Sequence, residues 1–262
     1  MYRSIRLGLP VALLAAALLA APAAFPATAT LQVGAFTRAS ALSAKAAKAL
    51  FQAPYGSQIR SEGFDGYATW NGSPGQTDLG ATAVGSFTRI GDAGSGHSVV
   101  GDGARLQVRG DNDMAWGRYD TDLPIGGHWL DSNDNTGIEW TISGLGAFNA
   151  LSFFVLDAAD VGGRFAIRVG DTLFDVAGGD GRRENGNILF VRILLDGLVD
   201  QLSVQMMHDR TNDGFGIDGA TVARVPPPAP VPLPAAAPLL GAGLGGLGLA
   251  ALVGRRRHRR AA

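Results

Sequence analysis

The chain has 262 residues, of which 17% are charged and none is cysteine. Seven of its 22 basic residues lie in the two terminal segments and no acid does, which leaves 15 basic against 23 acidic residues between them, a net charge of −8. That balance argues against a nucleic-acid partner, because a phosphate backbone requires a basic face, and the missing thiols exclude a cysteine nucleophile, a cysteine-based zinc site and a lipid-bearing cysteine.

Residues 1–29 have the pattern of a signal peptide. Arg3 and Arg6 form a basic start, residues 7–20 are apolar, and Ala27-Thr28-Ala29 fits the small-x-small cleavage pattern. Ala21-Pro22-Ala23 is a second candidate site. Residues 30–60 are expected to be a leader carrying a short helix over 37–52. Phe36, Ala39, Leu42, Ala46 and Leu50 recur at helical spacing, with Lys45 and Lys48 on the other side and Thr37 as N-cap.

Residues 61–224 have a different texture. Short apolar stretches are separated by Gly, Asp and Asn, which is strand-and-turn punctuation. Strands are predicted at 63–68, 83–90, 105–109, 114–119, 137–142, 151–156, 164–169, 172–176, 187–193, 202–207 and 216–223. Ile138, Trp140 and Ile142 share one face, as do Phe165, Ile167 and Val169, and Leu202, Val204 and Met206. The fold expected is all-β: an antiparallel two-sheet β-sandwich, jelly-roll-like, held by its core. No helical pattern alternates with the strands as a βαβ fold requires.

At 225–234 the chain becomes Val-Pro-Pro-Pro-Ala-Pro-Val-Pro-Leu-Pro. Proline fixes φ and removes amide donors, so this is an extended, semi-rigid linker. Residues 235–253 carry no charge and number nineteen, enough to cross a hydrocarbon core of ~30 Å at ~1.5 Å per residue as one C-terminal transmembrane helix. Arg255, Arg256, Arg257, Arg259 and Arg260 follow as a stop-transfer cluster that holds this end in the cytoplasm.

The tail as a whole resembles the PEP-CTERM family of protein-sorting signals in its VPLPA variant. The signature stands here as Val231, Pro232, Leu233, Pro234 and Ala235, followed by the span and the arginines, and covers 231–262. The resemblance implies recognition by an exosortase, an integral-membrane cysteine-type transpeptidase, and cleavage near the motif. It further implies delivery to the envelope, cell surface or extracellular matrix of a Gram-negative bacterium. It is silent on the middle of the chain.

The middle offers weaker motifs. Gly214/Gly216/Gly219 and Gly241/Gly243/Gly246 match G-x-G-x-x-G, but neither sits between a strand and a helix, as a dinucleotide site demands. Twenty of the acids are Asp, the residue of turns. Asp131-Ser132-Asn133-Asp134-Asn135 and Asp209-x-Thr211-x-Asp213-Gly214 both lack the closing Glu of an EF-hand. A structural calcium is instead expected, if anywhere, at Glu62 and Asp65 on the first strand and Asp218 on the last. Trp116, Tyr119 and Trp129, flanked by acidic residues, are the candidate glycan contacts; Trp140 reads as core. His97, His128 and His208 belong to no recognisable catalytic motif. The reading is therefore an exported, non-enzymatic surface or matrix protein, structural or adhesive. A carbohydrate-binding module with calcium is the alternative, and a secreted hydrolase the more remote one.

Overall fold

The computed structural model of the protein describes residues 27–69, 78–93, 105–110, 116–121, 127–177, 182–211 and 213–224. The expected signal peptide up to residue 26, Trp70, His97, and residues 225–262, where the linker, span and sorting motif are expected, lie outside the described residues. The strands are β1 (Ala29–Phe36), β2 (Ile59–Glu62), β3 (Asp78–Thr82), β4 (Gly85–Ile90), β5 (Gln107–Gly110), β6 (His128–Asp131), β7 (Gly137–Leu156), β8 (Phe165–Val169), β9 (Thr172–Ala177), β10 (Ile188–His208) and β11 (Gly216–Ala223), with one helix, α1 (Ala41–Gln52). All pairings are antiparallel and join in one sheet, in the order β5-β6-β11-β7-β10-β8-β9. On its flanks β1 pairs with β10, β2 with β11, and the β3–β4 hairpin with β7. The all-β, antiparallel expectation holds.

Two strands organise the sheet. The four segments predicted at 137–142, 151–156, 187–193 and 202–207 are two continuous strands of 20 and 21 residues, β7 and β10. They pair along Ile188–Leu194 with Leu156–Ala150 and again along Gln201–Met207 with Ser143–Gly137, with register shifts between Leu194 and Gln201. Gly144 and Gly146, at φ +71 and +83, sit at this interruption. A straight 20-residue strand would be ~65 Å long. Yet Asp131, six positions before β7, pairs with Gly216, which also pairs with Leu156 at the far end of β7. The β7–β10 ladder is therefore bent so that its two ends approach each other.

Sequence texture separates the two arms. Around Gly137–Ser143, apolar residues alternate because one face is buried: Ile138, Trp140 and Ile142 lie in the main core with Val204, Met206, Phe165, Ile167 and Val169. In the other arm the runs Phe153-Phe154-Val155-Leu156 and Ile188-Leu189-Phe190-Val191 are apolar throughout. Here Phe153, Val155, Leu189 and Val191 join the main core, while Phe154, Leu156, Ile188 and Phe190 form a second cluster with Tyr119, Trp129 and Ala44. Rings from both arms meet in the main core. Trp140 stacks on Phe87 at 5.6 Å, meets Phe153 edge-on at 5.8 Å, and its indole N–H donates to Val84 O at 3.0 Å.

Residues 30–60 do more than lead into the domain. β1 pairs with β10 over its whole length, from Ala29↔Leu195 to Phe36↔Ile188. The helix is present, entered through a turn in which Thr37 N–H donates to Ser40 Oγ at 2.9 Å, but it is rotated from the expected orientation. Ala44 and Lys48 are buried and Ala41, Ala47 and Phe51 pack on the second cluster, while Leu42 and Leu50 are 82% and 76% exposed. Lys48 reaches that position because its ammonium lies over the Phe154 ring, 5.8 Å from its centre. Two expected strands are also absent. Residues 63–69 turn away after β2, with Phe64 at φ +62, and residues 116–121 form a turn and a single bridge.

Candidate functional site

The bend of β7 and β10 gathers several connections around Arg118. They are residues 116–121, the β6–β7 connection, the turn after β7, residues 182–187 before β10, and the β10–β11 connection. Arg118 is 1% exposed. Its Nη1 donates to Asp131 Oδ1 at 2.5 Å and its Nη2 lies 3.8 Å from Asp134 Oδ1. Burial opposes its charge, but Asp131, Asp134 and Asp157 outweigh that and raise its pKa.

The β6–β7 connection, residues 132–136, is short and buried. Asn133 N–H donates to Asp131 Oδ1 at 3.0 Å, and Asn135 N–H to Ser132 O at 3.1 Å. It is tied to the β10–β11 connection by Ser132 N–H to Phe215 O, Phe215 N–H to Ser132 Oγ, both 2.9 Å, and Gly214 N–H to Asp134 Oδ1, 3.1 Å. The oxygen-rich run that resembled a calcium loop is thus a network of turns in which Asp131, Ser132 and Asp134 accept protein N–H groups.

The carboxylates beyond it are less well balanced. Asp157 accepts from Gly186 N–H at 2.7 Å, yet burial raises its carboxyl to about 8 against that bond, with Asp160 adding to the rise. Asp160 is raised to about 6, first by burial and then by a hydrogen bond to Asp213. A hydrogen bond between two carboxyls requires a proton on one of them. Asp213 also receives His208, whose Nε2 lies 2.7 Å from Asp213 Oδ2, while Arg210 N–H donates to His208 Nδ1 at 3.1 Å. The imidazole is thus held between the Arg210 backbone at Nδ1 and the Asp213 carboxyl at Nε2. The backbone is held hard here. Of six described non-glycine residues at positive φ, five lie in this region: Trp116, Asn133, Asp134, Asp157 and Ala159.

The residues singled out from sequence are placed as follows. Trp129 is fully buried in the second cluster, its indole N–H without an acceptor among the described residues. Tyr119 is 6% exposed. Burial pushes its hydroxyl up to about 12, Arg38 lies 5.0 Å over its ring, and the hydroxyl donates to Gly186 O at 3.2 Å. Neither ring is available to a glycan, which corrects the expectation for both. Their packing against Phe154 and Leu156, on the face turned from the main core, is the reason. Trp116 is 44% exposed, with the Arg118 guanidinium 5.7 Å from its centre.

The three residues proposed for calcium are each engaged separately. Glu62 closes β2 opposite Ala220, and accepts from Phe64 N–H at 2.8 Å and Ala83 N–H at 3.0 Å. Asp65 is in the turn after that strand, off it, and accepts from His128 N–H at 3.0 Å. Asp218 in β11 accepts from Thr121 N–H at 2.8 Å and Gly219 N–H at 2.6 Å. Among the described residues no group of three or more His, Asp or Glu side chains is placed to hold a metal ion. β2, which Glu62 closes, does pair with β11, which carries Asp218, but these carboxylates serve as turn and loop acceptors. The structure sets His208 against Asp213 and not against its chain neighbour Asp209, which accepts from Arg164 N–H at 2.8 Å. Asp157 and Asp160 carry no motif that would have marked them.

No protein-family model matches the chain, and no curated protein matches it significantly.

Proposed function

We propose that this is an exported surface or matrix protein of a Gram-negative bacterium, non-enzymatic and structural or adhesive in biofilm or exopolysaccharide, delivered by processing of its C-terminal tail. The observation that carries the reading is the order of features there: Val231-Pro232-Leu233-Pro234-Ala235, the uncharged stretch 235–253, then Arg255–Arg260 at the end of the chain. A proline-rich strip cannot close a helix or join a ladder, so its backbone stays available to a membrane-embedded exosortase-type transpeptidase. The described sheet ends at Ala223, directly before the linker at 225.

In this reading the sheet is a two-layer sandwich, made by folding the two arms of β7–β10 over one core. Support comes from the Trp140–Phe153 contact between the arms and from the Asp131–Gly216–Leu156 pairings that draw their ends together. The Arg118 cluster is the clasp that locks the connections at that closed end. Of the three candidate glycan contacts, Trp116 alone has the exposure an adhesive contact needs.

The test is the C-terminal mass of protein recovered from envelope and matrix fractions. A new C-terminus near residues 231–236, with the arginine cluster gone, upholds processing. An intact Ala262 in the inner membrane leaves a plain anchored domain and overturns it.

A further inference from the structure

Two signal-peptide sites stand in the sequence, after Ala23 and after Ala29, and the second has the tidier small-x-small pattern. The fold uses the residues that the second would discard. The β1–β10 ladder begins with Ala29↔Leu195. Ahead of it, Thr28 N–H donates to Asp196 Oδ1 at 2.7 Å, and Asp196 N–H donates back to Thr28 O at 3.1 Å. Ala27 and Ala29 pack on the main core, and Ala27 and Thr28 help wall a cavity of about 370 Å³ with Val169, Leu195, Val199 and Leu202. Leu195 is only 7% exposed in this arrangement.

A chain starting at Thr30 would lose all of this. Its terminal ammonium would stand in the ladder opposite Leu194, a charge next to an apolar edge. Asp196 would lose both its partners from Thr28, and Leu195 its cover. Signal peptidase acts before the domain folds, so the fold does not shield the bond after Ala29. What differs is whether the mature chain can complete β1.

We propose that the chain is cut after Ala23, so that the mature protein begins at Ala24 and retains Ala27, Thr28 and Ala29 for the start of the β1–β10 ladder. The step is hydrolysis by water of the Ala23–Ala24 peptide bond, catalysed by the host signal peptidase. It leaves a carboxylate on Ala23 and an ammonium on Ala24. Ala21 and Ala23 supply the small side chains that such an enzyme requires at the third and first positions before the cut. The proposal rests on the export reading above.

The experiment is intact mass and N-terminal sequencing of the full chain expressed in an exporting Gram-negative host, alongside Ala23→Leu. A mature start at Ala24, with loss of that species in Ala23→Leu, is the expected result. A start at Thr30 in the native chain, or an unchanged mature mass in Ala23→Leu, overturns the proposed site while leaving export intact. A chain that keeps Met1 overturns the export reading itself.

Discussion

His208 Nε2 and Asp213 Oδ2 lie 2.7 Å apart with both side chains out of solvent, and this contact ties the end of β10 to the connection that starts β11. Removing the ring takes from Asp213 Oδ2 its polar neighbour at 2.7 Å and opens a hole in a buried site. His208→Ala is expected to lose about 3 kcal/mol of stability. Asp213→Asn keeps a polar side chain of nearly the same size beside the ring and should lose less than half as much. Urea unfolding of the two variants checks the ranking; equal losses would show that the contact has no role beyond volume.

Acidification should strengthen the fold through Asp157 and Asp160. Their carboxyls titrate near 3.8 when unfolded but near 8 and 6 when folded. Between those values the folded state binds more protons, so stability falls as pH rises. The contribution is complete below the unfolded value and is lost as pH climbs through about 6 for Asp160 and about 8 for Asp157. Asp157→Asn keeps an acceptor for Gly186 N–H but carries no charge. Its melting temperature should vary less with pH than the native protein's across that window, and parallel curves would refute the assignment.

Gly117 is expected to tolerate no side chain. It sits at φ +95, and a Cβ there would lie 2.2 Å from Asn185 Oδ1 and 2.6 Å from Asp157 Oδ1. Gly117→Ala should lose about 2 kcal/mol or more, clash adding to backbone strain. Gly144 has φ +71 but nothing within 4 Å of its Cβ position. Gly144→Ala should therefore lose only the conformational part, about 1 kcal/mol. Thermal melts of the pair separate the two contributions.

Trp116→Ala separates adhesion from packing. With the ring 44% exposed, its removal should shift stability by less than about 1 kcal/mol. If adhesion runs through this ring, retention of the protein on exopolysaccharide from the host should fall severalfold. Retention equal to that of the native protein would remove Trp116 from any glycan contact.

Strand identity was legible where alternation is clean. Phe165, Ile167 and Val169 mark β8, and Ile138, Trp140 and Ile142 mark one arm of β7. Continuity was not legible, because Gly144 and Gly146 read as turn punctuation when they are the bend of a single strand. The helix was found but its buried face was misread. The sheet beneath takes Ala44 and Lys48, whose small side chain and long stem suit close approach, and leaves Leu42 and Leu50 outside. Tyr119 and Trp129 looked like surface rings because acids flank them; those acids are themselves buried, Asp131 through Arg118 and Asp120 at 9% exposure. The clasp was invisible because Asp157, Asp213 and Arg118 are brought together by the bend alone, at sequence separations that no local pattern encodes.

The placement of β11 has a mechanical consequence. It is buried along its whole length and is paired on one side with β7 and on the other with β6 at Gly216–Ile217 and β2 at Ala220–Ala223, with Ala223, one residue before the end of the described chain, matched to both Ala150 and Ile59. Ladder bonds run across the strand axis. A pull transmitted through residue 225 along β11 therefore loads bonds on both flanks at once, in shear, instead of peeling them one at a time. A domain hung by this end would resist extension as a unit until β11 slides free.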